Sequence, residues 1–403
     1  MKKFVQEIDM KKLRIVFPFV EAGFGHIMTE RSICDAFEKK YGEYFEIVRS
    51  EFFREGGNET LIKFEESMGR EVRYYNRFPL YANLTIFLMN LFGTKIVSRF
   101  VMKQTTRGAF EASMKHMEEL EPDIVVSTHW ATNYYAQKME KKPFTVMHVP
   151  DAHINAMFRY PCDFTTISMP EGYIRAVKLH KRHFKNNNLK RVPLAIRKEA
   201  FEITETREEL RARWGMDDRF TIYLTEGGYG IGMAEKLCQK LAEEDLPINV
   251  IIVCGKNPDL YKRVSALKTK GNLKIYDLGF TEKVLELIAM SDLYLGKSGN
   301  GLMEPAFFGV PIVVTHSANT IERRLADHYV SYWGDAVRIF KLKKCLKFIK
   351  EAARGSKKYN DLKENRVPRE AFGGEGTADV IFAELDKKFN IVESFAADKA
   401  KTE

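Results

Sequence analysis

Short β-branched apolar runs alternate with helical patterns along this chain, and that alternation constrains the fold more than any single motif. A parallel strand buried on both faces reads as a near-continuous apolar run, and the crossover to its neighbour needs a helix. In the first half such runs fall at 13–19, 45–49, 123–127, 144–149 and 164–168, with helical patterns over 26–40, 95–120, 130–141 and 171–184. In the second half runs at 220–225, 249–254, 273–277, 292–295 and 312–315 alternate with helices over 232–244, 258–270, 282–290, 302–308 and 321–328. The pattern predicts an α/β protein made of two Rossmann-like parallel-sheet domains facing a cleft. A chain of 403 residues suits two cores better than one. The polar segment 185–206 reads as the seam. The expected division is a first domain over 1–195, a second over 196–375, and a C-terminal helix packing back over 376–403 with a frayed tail.

Glycine turns sit where strands end. The run Asp292-Leu293-Tyr294-Leu295 enters Gly296-Lys297-Ser298-Gly299-Asn300-Gly301, and a helix opens directly after it. Glycines admit close approach of a ligand to the backbone, and free N–H groups at a helix start suit a pyrophosphate. Glu304 follows about one helical turn in, where a carboxylate reaches a sugar diol. Gly227-Gly228 opens a second such turn after 220–225, and two glycine turns on one sheet edge make a pocket more readily than either alone. Gly279-Phe280-Thr281 follows another strand, either as a loop with Thr281 as N-cap or as a backbone contact to a base. His26 follows Gly23-Phe24-Gly25 at the first strand end, as a structural hydrogen-bonder or a proton acceptor. Asp151 and His153 follow a further strand, where an Asp/His pair can share a proton.

Net charge is +9, which points to an anionic partner: a phosphorylated ligand, an anionic membrane or nucleic acid. Five scattered cysteines, none spaced as CxxC, fit a reducing cytosol. Lysines precede the run 13–20, but it is short and lacks a cleavage site, so it reads as a buried strand. No stretch reaches the ~18 apolar residues of a membrane span. No triplet or cluster has metal-ligand spacing, so no metal and no cofactor are expected. Residues 70–107 interleave cations and aromatics, among them Arg70, Arg73, Tyr74, Tyr75, Arg77, Phe78, Tyr81, Phe87 and Phe92, around a nearly apolar middle. This segment reads either as a core helix with basic flanks or as a patch that enters a membrane interface. The uncharged middle disfavours single-stranded nucleic acid, and none is expected as partner.

From 220 to 311 the order Cys254-Gly255-Lys256-Asn257, Gly279-Phe280-Thr281, Ala289-Met290-Ser291-Asp292-Leu293, Lys297-Ser298-Gly299 and Glu304 resembles a GT-B-type glycosyltransferase. The resemblance is to the monogalactosyldiacylglycerol synthase and processive diacylglycerol glucosyltransferase family. Gly23-Phe24-Gly25-His26 and Val192-Pro193-Leu194 match it more thinly. The resemblance implies a UDP-sugar as co-substrate, with Gly279-Phe280 at the uracil, Ser298, Gly299, Asn300 and Gly301 at the phosphates, Glu304 at the ribose and Glu322 at the sugar. It implies His26 and Asp151 nearest the reacting hydroxyl, and an inverting, metal-independent transfer of glucose or galactose to a lipid such as diacylglycerol. The expected location is cytoplasmic and peripherally membrane-associated. A polyprenyl or soluble acceptor, or a non-catalytic nucleotide-sugar or nucleic-acid binder, are the alternatives. The chain departs from the family at Gly23-Phe24-Gly25, where three glycines are usual, and at Ile321-Glu322, where Gln-Glu is usual. It also has one residue fewer between Lys297 and Glu304, and Asn155 in place of a histidine.

Overall fold

The computed structural model describes residues 12–402 apart from 22–23, 92–94, 153, 180–183, 185–187, 226–232 and 256. One sheet contains β1 (Leu13–Phe19), β2 (Phe45–Glu51), β3 (Ile124–Ser127), β4 (Phe144–Val149), β5 (Phe164–Ile167) and β6 (Leu189–Arg191). The other contains β7 (Phe220–Thr225), β8 (Ile248–Val253), β9 (Lys274–Leu278), β10 (Leu293–Lys297), β11 (Ile312–His316) and β12 (Ala336–Arg338). Every pairing between these strands is parallel. Central strands are buried from end to end, β3 and β8 at every residue, as the unbroken apolar runs require. Each buried Ile or Val there contributes roughly 1.5–3 kcal/mol by leaving water.

Helices α1 (Phe24–Tyr41), α2 (Glu59–Arg77), α3 (Pro79–Leu91), α4 (Lys95–Thr106), α5 (Phe110–Glu119), α6 (Trp130–Ala136) and α7 (Pro170–Leu179) accompany the first sheet. Short α8 (Glu199–Glu202) and α9 (Arg207–Arg213) lead into the second sheet. Around it lie α10 (Ala234–Ala242), α11 (Pro258–Ser265), α12 (Val284–Ala289), α13 (Met303–Phe307), α14 (Thr320–Asp327), α15 (Leu342–Ala353) and α16 (Lys357–Glu364). Then α17 (Gly374–Phe389) and α18 (Ile391–Thr402) follow.

The strand orders are β2-β1-β3-β4-β5-β6 and β12-β11-β10-β7-β8-β9. Each sheet therefore reverses direction beside its own first strand, between β1 and β3 and between β7 and β10. Ligands of open α/β sheets bind at the carboxyl ends of strands at such a switch point.

The chain crosses between the halves twice. Leu194 bridges Phe372, with Leu194 N donating to Ala371 O at 2.8 Å and Gly373 N to Leu194 O at 2.9 Å. Beyond that bridge α17 leaves the second half and packs on α1, where Ala378, Ile381 and Leu385 join Ile33, Phe37 and Phe45 in one core. Phe382 stacks on Tyr41 at 3.9 Å with planes 3° apart. Glycine is required where α17 begins, since a Cβ on Gly374 would lie 2.2 Å from Ser32 O.

Several sequence expectations need correction. The helix expected over 95–120 is two helices, α4 and α5, separated by a 3₁₀ turn at Arg107–Ala109. Thr106 turns its hydroxyl back onto Met102 O (2.8 Å), and Gly108 follows, so the helix ends there. The helix expected over 130–141 stops at Ala136, where Gln137 turns to bond Thr145 Oγ1 (2.6 Å). No helix is expected over 59–69, and 70–91 is expected as helix in only one of two readings; the segment forms α2 and α3, broken at Pro79. The edge strands β6 and β12 leave no mark in the sequence pattern, because three residues are too few to make an apolar run.

Candidate functional site

The first switch point is built from the ends of β1, β3 and β4. His26 lies in the first turn of α1, and its Nδ1 is 3.0 Å from Thr128 O, just past β3. A carbonyl only accepts, so Nδ1 donates to it and Nε2 is the nitrogen left to face a substrate. Thr128 Oγ1 donates back to His26 O at 3.3 Å, so the two strand ends fix one another. Phe158 stacks on the His26 ring at 6.3 Å, and His129 meets it edge-on at 5.7 Å.

His129 is buried and caps α6 by accepting Ala131 N–H at 3.3 Å on Nδ1. Burial first, and the charge of His26 second, hold its pKa well below the ordinary value. His148, fully buried on β4 with Nδ1 3.0 Å from Thr166 Oγ1, is pushed down to about 3 for the same two reasons. Asp151, just beyond β4, moves the other way: burial raises its pKa, and a charge on His26 opposes that. A histidine held through Nδ1, with two neutral histidines and one carboxyl group as neighbours, can take a proton from a hydroxyl through Nε2. Thr128, His129 and His148 did not stand out in the sequence. Their signal was the position of Thr128-His129 directly after a buried strand, beside the strand that leads to His26.

The second switch point carries the glycine turn. Asn300–Leu302 forms a 3₁₀ turn that leads into α13, and Glu304 sits in that helix's first turn. Arg197, from the segment between the sheets, binds Glu304 Oε1 through Nε at 3.0 Å and Nη2 at 2.6 Å. Burial raises the Glu304 pKa and the guanidinium opposes it. Sequence reading missed Arg197, because nothing local marks a partner 107 residues away.

A cavity of about 870 Å³ opens here between the halves, lined by Arg197, Tyr223, Phe280, Thr281, Gly301 and Glu304. Met28 and Thr29 of α1 close it from the other side, so both sheets contribute. A Cβ on Gly279, Gly299 or Gly301 would meet nothing within 4 Å. None of these three has a left-handed φ, so neither protein packing nor backbone conformation demands glycine there. What their missing side chains leave open is room along the backbone. Thr281 Oγ1 accepts Lys283 N–H at 3.1 Å, and Phe280 is 63% exposed at the mouth.

Beside the turn, Ser298 is buried, with N donating to His316 O at 2.8 Å and Oγ donating to Glu322 O. Glu322 lies in the first turn of α14, where Asn319 Oδ1 accepts the N–H groups of Ile321 and Glu322 at 2.9 and 3.0 Å. Asn300, Gly301, Glu304, Phe280 and Thr281 thus share one cavity, Ser298 and Glu322 adjoin on the next strand end, and His26 and Asp151 form the opposing cluster. Gly227, Gly228 and His153 lie outside the described residues.

Residues 70–107 do not form the core helix that one reading expected. On α3 Leu80 is 87%, Leu84 55% and Phe87 59% exposed, with Tyr81 and Leu88 beside them. Tyr74 and Phe78 are also exposed, their rings 4.7 Å apart. Arg70 is exposed 3.9 Å from Glu66. Arg73, Tyr75 and Arg77 lie on α2, and Phe92 lies outside the described residues. An apolar helix face this open is unusual on a soluble surface. Its other side faces the second half: Asn83 Oδ1 accepts both Thr320 N and Thr320 Oγ1 at 2.8 Å, at the start of α14. Among the described residues no helix is long and apolar enough to cross a membrane.

No protein-family model matches this chain. In sequence it is 23% identical over 332 residues to monogalactosyldiacylglycerol synthase 1, chloroplastic, of Arabidopsis thaliana, a match covering 76% of this chain and 58% of that protein. It is 29% identical over 110 residues to the processive diacylglycerol beta-glucosyltransferase of Bacillus subtilis (strain 168), covering 27% and 28% of the two chains. The chain thus spans less than two thirds of the length of these curated relatives. In structure it is similar to UDP-GlcNAc 2-epimerase from Neisseria meningitidis bound to UDP-GlcNAc, with a TM-score of 0.59 at 13% identity, covering 93% of this chain and 100% of that one. It is also similar to CalG4, the calicheamicin glycosyltransferase, with a TM-score of 0.54 at 12% identity over 94% and 100%. The fold is the GT-B arrangement of two Rossmann-like halves, and the sequence resembles the monogalactosyldiacylglycerol synthase and processive diacylglycerol glucosyltransferase family.

Proposed function

We propose that this relative of the diacylglycerol glycosyltransferases moves a hexose, glucose or galactose, from a UDP-sugar to the hydroxyl of a lipid such as diacylglycerol. The observation that carries the reading is the cavity between the halves, where the open backbone of Gly301 lies beside the half-buried Glu304 carboxylate and Gly279 and Gly299 leave room in the adjoining turns. Uracil would meet the backbone at Gly279-Phe280, and Glu304 would accept from the ribose hydroxyls after leaving Arg197. The diphosphate would lie against the N–H groups of 299–301, which supply fixed dipoles without metal.

On the other side, His26 Nε2 would take the acceptor proton while the acceptor oxygen attacks the anomeric carbon and UDP leaves. One displacement inverts that carbon. Asp151, ionised, would stabilise the imidazolium that forms. The exposed face of α3, with the cations of 70–107, supports peripheral docking on an anionic membrane, where a lipid acceptor resides.

The test is UDP release measured with purified protein, candidate UDP-hexoses and anionic liposomes containing diacylglycerol, with and without EDTA. Release that needs the lipid and persists in EDTA is the expected result. Release with a soluble acceptor and no liposomes would assign the acceptor elsewhere.

A further inference from the structure

On the nucleotide-sugar reading, the carboxyl edge of the second sheet would order the ligand by strand. Gly279-Phe280 follow β9, Tyr223 and Thr225 lie on β7, and the 298–301 turn follows β10. The next strand in the sheet is β11. A ligand that starts with its base at β9 and reaches its phosphates at β10 carries its transferred group onto β11. Three side chains wait there.

Lys297 ends β10 and His316 ends β11, and the two are paired in register. Lys297 Nζ is 3.3 Å from Glu322 Oε1, while Glu322 Oε2 accepts Ala318 N–H at 2.6 Å. Both carboxylate oxygens are therefore already engaged by the protein. His316 differs: its Nε2 is buried with no hydrogen-bond partner, although the residue as a whole is partly exposed. Burial foremost, with the Lys297 charge adding to it and Glu322 opposing, holds its pKa below the ordinary value, so the ring is neutral. A neutral imidazole nitrogen without a partner is costly unless a ligand completes it.

We propose that His316 Nε2 hydrogen-bonds a hydroxyl of the transferred sugar, making His316 a specificity-determining residue of the donor site. Glu322 and Lys297 then act mainly as its frame, with Ser298 Oγ tying the turn to the Glu322 carbonyl. Because Nε2 is buried, this contact requires the imidazole to turn that edge toward the cleft. The inference rests on the nucleotide-sugar reading and adds to it the group that reads the sugar.

The test compares UDP with UDP-sugars on the full chain by calorimetry, together with donor KM and the thermal midpoint. His316→Ala should weaken the preferred UDP-hexose about fivefold to tenfold, the worth of one hydrogen bond, while UDP binds as in the parent. His316→Asn, which keeps a polar side chain, should recover part of the loss and change the ratio between glucose and galactose donors. If the alanine variant folds poorly, the asparagine variant carries the comparison. Equal weakening of UDP and UDP-sugar, or an unchanged sugar preference in both variants, overturns the inference while the donor reading stands. A parent protein that binds neither UDP nor any UDP-sugar overturns both.

Discussion

Arg197 and Glu304 hold one another beside the cavity, so a ribose bound there as proposed would compete with a guanidinium for the carboxylate. Glu304→Gln keeps the shape of the side chain and removes its charge. Donor KM should rise at least about tenfold, because hydrogen bonds to charged groups are the strong ones, and steady-state kinetics would read it. His26→Ala should act differently, lowering kcat by about 10²–10⁴ with a smaller change in donor KM, as loss of a proton acceptor does. Asp151 has a further consequence for stability. Its pKa in the folded chain is raised, so its contribution is fully present below the unfolded carboxyl value and is lost as pH rises through the folded one. Asp151→Asn should therefore melt higher than the parent at neutral pH, with the gap closing toward pH 4, even as its kcat falls. A thermal scan across pH checks this, and an equal midpoint at all pH values would refute it.

At the scale of elements, α3 is the part of the first half that meets solvent with its apolar side and the second half with Asn83. Leu84→Asp with Phe87→Asp should abolish sedimentation with anionic liposomes and leave UDP affinity unchanged. The exchange introduces charge on an exposed face and leaves no cavity, so the thermal midpoint should hardly move. This helix also shows where sequence reading stops. Strands such as 220–225 and 312–315 were legible because burial on both faces leaves β-branched runs unbroken, and the edges β6 and β12 were not, because three residues are too short for a run. The glycine turn at 298–301 was legible as an open backbone. The pairing of Arg197 with Glu304, and the partnerless nitrogen of His316, were not, since tertiary distance decides both. The exposure of α3 was one of two readings that its composition allowed, and only packing chose.

For the whole molecule, the halves meet through an apolar seam, in which Ala152 and Met169 join the core of the second half, and through side-chain pairs that include Asn83 with Thr320 and His328 Nδ1 with Glu171 at 2.9 Å. The last is fixed by Trp333 Nε1, which donates to His328 Nε2 at 3.1 Å and so leaves the ring proton on Nδ1 for Glu171. The two chain crossings near 194 and 373 are where a hinge between the halves would lie. The second crossing also holds the first half together. Phe382→Ala should cost about 2 kcal/mol or more, measured by denaturant unfolding, because its ring packs against Tyr41, Phe37 and Phe45.

That helix also fixes an order of events during synthesis. A ribosome delivers β1 to β6 long before it delivers Gly374–Phe389. The earlier half must therefore wait with Phe37 and Tyr41 uncovered while the later half is made. The half that is translated first is the one that finishes folding last.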